Sequence, residues 1–329
     1  MTIVLGVDGG GTKTHAAVAD ERGTLLGFGM SGPSNWEDGG FEAASAALKA
    51  AIREAMDEAG LGPEEIEASV FGLAGIDFPS DAEGMSGVAD AVGLVGTNRI
   101  VNDSFVALRA GTNHPWGVVV ISGTGSVVAG RNPAGETFRT LGVGAIFGDD
   151  ASASEVSQAA LGAVAADLLG RGPHTSLSDR LCALTGTSGP IELIEGVARG
   201  RIPDSQFAPA VVEAAEHGDL AARRILEQAG ASLGDLAGHV ARRLSMDGSE
   251  FELVLAGGMF RSGSRIMRAA LEATVKRSAR FAFTVTLEAP PVVGAALLAL
   301  EETPATVDAE CHARLAVASI EALNRRPAS

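Results

Sequence analysis

The stretch VLGVDGGGTKT (residues 4–14) decides how the rest of the chain is read. A strand-like apolar run, residues 2–8, leads into Gly9, Gly10 and Gly11, then Thr12, Lys13 and Thr14, and a second strand-like run, THAAVAD (14–20), begins at once. A tight turn between two strands needs one or two glycines, so three in a row are a surplus. The Walker A and dinucleotide fingerprints both open a helix rather than a strand, and neither fits. A glycine hairpin points successive backbone N–H groups into one concavity that suits phosphate oxygens; Thr12 and Thr14 add hydroxyls and Lys13 a positive charge. Asp8 at its mouth repels a polyphosphate unless a cation stands between them, so the pattern points to Mg2+ held at Asp8. An ordinary structural hairpin is the competing reading.

Outward from this turn, a third strand-like run (TLLGFGM, 24–30) completes a meander, and apolar residues at helical spacing predict a helix over 41–59. A strand at 67–75, a helical stretch at 80–93, a strand at 99–104 and a helix from Phe105 follow. The pattern then restarts: WGVVVISGTGSVVAGRNPAGETFRTLG (116–142) again reads strand, Gly/Thr/Ser turn, strand, polar turn, strand. This implies an internal duplication, with Ser122, Gly123, Thr124 and Gly125 as a second donor-rich hairpin. A helical insert over about 151–246 precedes a strand at 251–258, a helix at 262–279, a strand at 283–289 and a helix from Val292. The expectation is an α/β protein of two lobes with a central nucleotide cleft. The first lobe spans 1–115 and is packed by a helix at about 305–325; the second spans 116–304.

Composition narrows the partners. With 329 residues, 46% of them apolar, the chain can build two cores. A net charge of −16 without a basic stripe argues against nucleic acid and anionic membranes. No run reaches the ~18 apolar residues of a membrane span, and the first residues do not read as a leader, so a cytoplasmic location is expected. Cys182 and Cys311 are far apart and suggest neither a disulfide framework nor a metal site. The histidines, His15 among them, show no catalytic or ligand spacing and read as surface positions. The reading admits a homodimer.

Four further segments carry polar groups at useful places. IVNDSFVAL ends a strand in Asn102, Asp103 and Ser104; Asp103 suits either a helix N-cap or, with Ser104 as the cap, a base accepting a proton from an attacking hydroxyl. GPSNW (32–36) sets Asn35 beside Trp36, a pairing suited to carbohydrate or to a simple turn. GVGAIFGDDASASE (142–155) puts Asp149 and Asp150 before a helix, for capping or for sugar hydroxyls. VLAGGMF (254–260) places Gly257 and Gly258 where backbone could approach an adenine face.

In this order Asp8-Gly-Gly-Gly-Thr-Lys-Thr14, Asn102-Asp103, Ser122-Gly-Thr-Gly-Ser126, Gly148-Asp149 and Ala256-Gly-Gly258 resemble the BadF/BadG/BcrA/BcrD ATPase family, and within it the N-acetylglucosamine kinases, across nearly the whole chain. The resemblance implies two ribonuclease H-like, actin-like ATPase domains that take Mg-ATP and a hexosamine and pass phosphate to the sugar 6-hydroxyl. It makes Asp103 the catalytic base and a sugar contact. Asp8, Thr12 and the glycines match the first phosphate motif, Thr124 and Gly125 the second, Gly257 and Gly258 the adenosine motif, and Asn35 and Asp149 sugar-binding positions. One departure is Gly148-Asp-Asp-Ala-Ser152 where such kinases read Gly-Asp-Glu-Gly-Ser, which bears on substrate identity. The alternative function is an ATP-hydrolysing activator of a partner protein; the activator branch carries iron–sulfur cysteines that this chain lacks.

Overall fold

The computed structural model describes residues 1–326. In chain order the elements are β1 (Ile3–Gly9), β2 (Thr14–Asp20), β3 (Leu25–Ser31), α1 (Trp36–Ala59), β4 (Ala68–Leu73), α2 (Pro79–Met85), α3 (Gly87–Val92), β5 (Thr97–Asn102) and α4 (Asp103–Gly111). Then come β6 (Gly117–Ser122), β7 (Ser126–Arg131), β8 (Thr137–Arg139), α5 (Ala153–Leu168), α6 (Leu177–Thr185), α7 (Pro190–Ala198), α8 (Ala208–Glu216) and α9 (Leu220–Arg243). The chain ends with β9 (Phe251–Ala256), α10 (Gly258–Arg261), α11 (Arg265–Val275), β10 (Ala282–Thr286), α12 (Pro291–Glu301) and α13 (Ala309–Asn324).

Two units partition these elements: residues 1–117 together with the chain from Leu287 onward, and Val118–Thr286. Each holds a five-stranded sheet of the same order, β3-β2-β1-β4-β5 in the first and β8-β7-β6-β9-β10 in the second. In the first sheet β1 pairs antiparallel with β2 and parallel with β4, and β4 parallel with β5. Strand β1 is buried on both faces because residues 3–7 carry no polar side chain: Leu5 and Val7 join Leu48 and Ile52 of α1, whereas Val4 joins Ala296 of α12 and Leu315 of α13. That two-sided burial is what a central strand under two helical layers requires.

The C-terminal segment differs from the sequence expectation. Residues 287–304 read as part of the second lobe, yet α12 packs in the first unit. A Cβ on Gly6 would lie 2.2 Å from the backbone N of Ala296, so β1 meets α12 only because residue 6 has no side chain. Helix α12 is apolar all round and buried from Val292 to Leu300, as expected for a helix enclosed by sheet and neighbours.

Helix α1 begins one turn earlier than its periodicity suggests. Gly40, at φ 80° and ψ 164°, breaks it after Trp36–Gly39, and only the part beyond Gly40 carries the repeating buried Ala44, Leu48, Ala51, Ile52 and Ala55. The helical stretch at 80–93 is two short helices, α2 and α3. The helical insert of the second unit comprises α5 to α9, closed onto α11 through Gly230 and Gly234 of α9, whose missing side chains admit the backbone of Met267 and Leu271.

Candidate functional site

In the first unit, parallel register aligns Gly9, Leu73 and Asn102 across the ends of β1, β4 and β5. The turn after β1 and the start of α4 therefore emerge at the same edge, the carboxyl end where open α/β sheets take ligands. The turn itself is residues 10–13, closed by Gly10 N donating to the Lys13 carbonyl at 3.0 Å. Gly11, Thr12 and Lys13 are exposed.

The three glycines have different reasons to exist. At Gly9 a Cβ would sit 2.4 Å from Ser34 Oγ and 2.8 Å from Leu73, so packing alone demands glycine. Gly10 and Gly11 have neither a left-handed φ nor a crowded Cβ position; the nearest atoms would be 3.5 and 3.7 Å away. Nothing inside the chain requires them, which leaves the space outside the turn as the reason. Thr14, expected as a hydroxyl donor to phosphate, is fully buried and donates instead to the Gly32 carbonyl (2.9 Å) and Ser34 Oγ (2.8 Å), pinning the turn to the segment after β3.

Asp8 lies just behind this turn with its side chain 19% exposed. Burial pushes its carboxyl up from 3.8 to about 7; the Asp103 charge pushes the same way and Lys13 opposes. A carboxyl made costly to ionise by burial and by the Asp103 charge, beside an exposed glycine turn, is a place that gains from a cation. Among the described residues no group of three or more His, Cys, Asp or Glu could hold a metal with protein ligands alone. Magnesium commonly takes one or two carboxylates and fills its shell with phosphate oxygens and water. The donor set fits that ion.

Asp103 is the first residue of α4. The helix cap is Asn102, not Ser104: Asn102 Oδ1 accepts from Ser104 N (3.1 Å) and Ser104 Oγ (2.5 Å). The Asn102 amide then donates to the Ile76 carbonyl and to Asp77 Oδ1, both at 3.2 Å. Asp81 in turn accepts from the backbone N–H of Asp77 and Phe78. The loop after β4 is thus tied to the start of α4 by Asp77 and Asp81, two residues the sequence reading missed. The ID dipeptide at a strand's carboxyl end was the available signal.

Asn35 caps α1 through Oδ1 to Glu37 N (3.3 Å), while its amide donates to Glu37 Oε2 (3.4 Å) and Asp38 Oδ2 (3.3 Å). Trp36 donates to the Gly75 carbonyl at 2.6 Å and stacks on Phe41 at 4.5 Å. The Asn35–Trp36 pair is therefore attached to the loop after β4.

In the second unit the hairpin of Ser122–Ser126 is clasped by Ala151 and the first turn of α5. Ser122 Oγ, expected to face a phosphate, is buried and donates to the Ala151 carbonyl at 2.7 Å. Ala153 N donates to the Gly123 carbonyl (2.8 Å) and Ser154 Oγ to the Thr124 carbonyl (3.1 Å). Gly123 and Gly125, like Gly10 and Gly11, are uncrowded and not left-handed, and Thr124 is exposed. Gly257 is different: its φ is +96° and a Cβ would lie 2.2 Å from the Ser122 carbonyl, so close packing of β9 against β6 accounts for it. Gly258, which opens α10, has open space around it.

Asp149 is 2% exposed and its Oδ2 accepts from the backbone N–H of Gly142 (2.7 Å) and Val143 (3.2 Å). It closes its own loop rather than presenting both oxygens outward. Asp150, in the place of the expected glutamate, is exposed and accepts from Ser232 Oγ at 2.5 Å. One histidine also departs from the reading of the sequence: His15, directly opposite Asp8 in the β1–β2 register, is buried at 2% exposure. No helix among the described residues is long and apolar enough to cross a membrane.

The chain is 32% identical over 262 residues to an N-acetylmuramic acid/N-acetylglucosamine kinase of Clostridium acetobutylicum, covering 79% of this chain and 86% of that one. It is 31% identical over 313 residues to an N-acetyl-D-glucosamine kinase of Dictyostelium discoideum, covering 91% and 98%. A Chromobacterium violaceum crystal structure, named provisionally as an N-acetylglucosamine kinase, superposes with a TM-score of 0.67 at 25% identity, covering 91% of this chain and 99% of that one. Residues 5–299 match the profile of a single family. The chain belongs to the BadF/BadG/BcrA/BcrD ATPase family.

Proposed function

We propose that this protein is an ATP-dependent amino-sugar kinase that phosphorylates the 6-hydroxyl of N-acetylglucosamine or glucosamine. The observation that carries the reading is the set of glycines with no internal reason to be glycine: Gly10 and Gly11 beside Asp8 and Asp103, and Gly123 and Gly125 in the second unit. Uncrowded, exposed turns of this kind suit phosphate oxygens through the amides they do not use themselves, Gly10 and Gly123 being bonded to the Lys13 and Gly125 carbonyls. Relatives named as N-acetylglucosamine kinases, aligned over most of the chain, support the acceptor class.

Asp8 holds magnesium together with the nucleotide phosphates, and the ion supplies neutralisation of charge on those oxygens. Thr12, Lys13 and Thr124 add donors at the turns, and Gly258 leaves backbone open to the nucleoside. Asp103 receives the proton of the acceptor hydroxyl as its oxygen bonds to the terminal phosphorus and the bond to the bridging oxygen of ADP breaks. Positioning and charge neutralisation do most of the work in such a transfer. Asn35 at the N-terminus of α1 contacts the sugar, and Asp149 orders its own loop through the amides of Gly142 and Val143.

The test is a coupled ADP-release assay across a panel of hexoses and hexosamines. ADP release stimulated by N-acetylglucosamine or glucosamine supports the reading. ATP turnover indifferent to every sugar contradicts it and favours an activator of a partner protein.

A further inference from the structure

His15 is the polar side chain that neither the fold nor the proposed chemistry explains. Its ring is buried at 2% exposure in a strand whose next four residues are Ala16, Ala17, Val18 and Ala19, and neither ring nitrogen has a hydrogen-bond partner among the described residues. Leaving buried polar atoms unpaired is costly, because they give up their bonds to water and gain none in return. An apolar residue would serve packing better here, because Phe28, 5.6 Å away, offers an apolar neighbour. The ring is nevertheless aimed at one polar group: Nδ1 lies 4.0 Å from Asp8 Oδ2, across the directly paired positions of β1 and β2. That separation is about 1 Å beyond a hydrogen bond and within reach of a side-chain rotation of Asp8.

We propose that His15 is a positioning residue for the Asp8 carboxylate, donating from Nδ1–H to Oδ2 and so presenting the other oxygen to the bound cation. The proposal rests on the reading of Asp8 as the cation's carboxylate. It accounts for a buried imidazole among alanines, and follows the general rule that a metal-binding side chain is oriented by a hydrogen bond from behind. The ring is neutral in this role: burial, with Lys13 and Arg326 adding to it, lowers its pKa to about 4, so it can donate from one nitrogen without adding a positive charge beside the ion. The inference concerns orientation, not proton transfer.

The experiment has two parts on the full chain. Nitrogen-15 NMR of the histidine ring reports the tautomer: His15 protonated on Nδ1, with its Nδ1 resonance shifted when MgADP is added, is expected. A ring protonated on Nε2 in both states overturns the proposal whatever the variants do. In parallel, the magnesium concentration giving half-maximal thermal stabilisation by ADP is measured for wild type, His15→Leu, His15→Asn and Asp8→Asn. His15→Leu should raise it about 10-fold or more without lowering the melting temperature of the nucleotide-free protein, and His15→Asn, which keeps a donor near the Nδ1 position, should restore it to within about 3-fold. If Asp8→Asn shifts the magnesium curve and His15→Leu does not, the positioning role is wrong while the reading of Asp8 stands. If Asp8→Asn leaves the curve unchanged, both fall.

Discussion

In the first unit the turn after β1 sits beside two carboxylates, Asp8 and Asp103, and a buried imidazole without hydrogen bonds; in the second the turn after β6 is clasped by three hydrogen bonds from residues 151–154. Both turns grow from sheets of the same strand order, and both contain glycines that the chain itself does not need. The first carries a carboxyl that burial and a neighbouring charge make costly to ionise, and the second is held by hydrogen bonds apart from the buried Ser126 hydroxyl, which has no partner among the described residues. The duplicated fold has thus kept a glycine turn at the same place twice, with paired carboxylates beside one copy. Under the proposed function the difference is a division of labour, with the residues for the cation and the base in the first unit and backbone and hydroxyl donors in the second.

The largest effect should come from the charged copy. Asp103→Asn should lower sugar-dependent kcat/KM by 10²-fold or more, on the order expected for loss of a general base, while bringing the Asp8 carboxyl back toward the ordinary range because one source of its shift is gone. Steady-state kinetics and carbon-13 NMR of the Asp8 carboxyl check the two halves. An equal loss in Thr124→Ala would erase the asymmetry.

The glycines give a second contrast. Gly257→Ala should destabilise the protein by about 3 kcal/mol, since its φ of +96° and the 2.2 Å approach to the Ser122 carbonyl both exclude a side chain. Gly11→Ala should change stability by less than about 0.5 kcal/mol and weaken nucleotide binding instead. Urea denaturation and ITC with MgADP separate them. If both glycines prove purely structural, the phosphate role of the first turn fails.

Next in size is the pH dependence of nucleotide-free stability. Asp8 has a folded pKa of about 7 against 3.8 unfolded, so its stabilisation is complete below about 4 and is lost as pH rises to about 7. His15 has a folded pKa of about 4 against 6.5 unfolded, so its contribution is complete above about 6.5 and is lost as pH falls toward 4. The two slopes oppose one another in wild type. Asp8→Asn should therefore become more stable as pH rises from 4 to 7, by up to about 3 kcal/mol, and His15→Leu less stable, by up to about 4 kcal/mol. Thermal melts along a pH series check the signs.

The smallest effect belongs to the clasped copy: Ser122→Ala should cost about 1 kcal/mol through the lost bond to Ala151, with the magnesium dependence unchanged in the ADP thermal-shift assay.

Much of the architecture was legible because it is local. The strand-like apolar runs at 2–8 and 14–20, the repeated meander at 116–142 and the apolar spacing over 44–55 all encode the strands and helix that form. The placement of α12 was not legible, since it depends on a missing side chain at Gly6 meeting Ala296 some 290 residues later. The same limit explains the polar residues that turned inward. Thr14 and Ser122 look like donors in sequence, and only the fold reveals that Ser34 and Ala151 take their protons. Asp149 likewise reads as a ligand until the amides of Gly142 and Val143 are seen on its oxygen. His15 was misread for the opposite reason: strand position alone does not say that β2 is covered on both faces. The exposed members of both turns, residues 10–13 and 123–125, could be picked out because surplus glycine is visible in sequence.

The most direct measurement is phosphorus-31 NMR of the protein with ATP, Mg2+ and N-acetylglucosamine. The account predicts that the terminal phosphate of ATP reappears as a phosphomonoester coupled to the protons on C6 of the sugar, in wild type and not in Asp103→Asn. Release of inorganic phosphate at the same rate with or without sugar would contradict it.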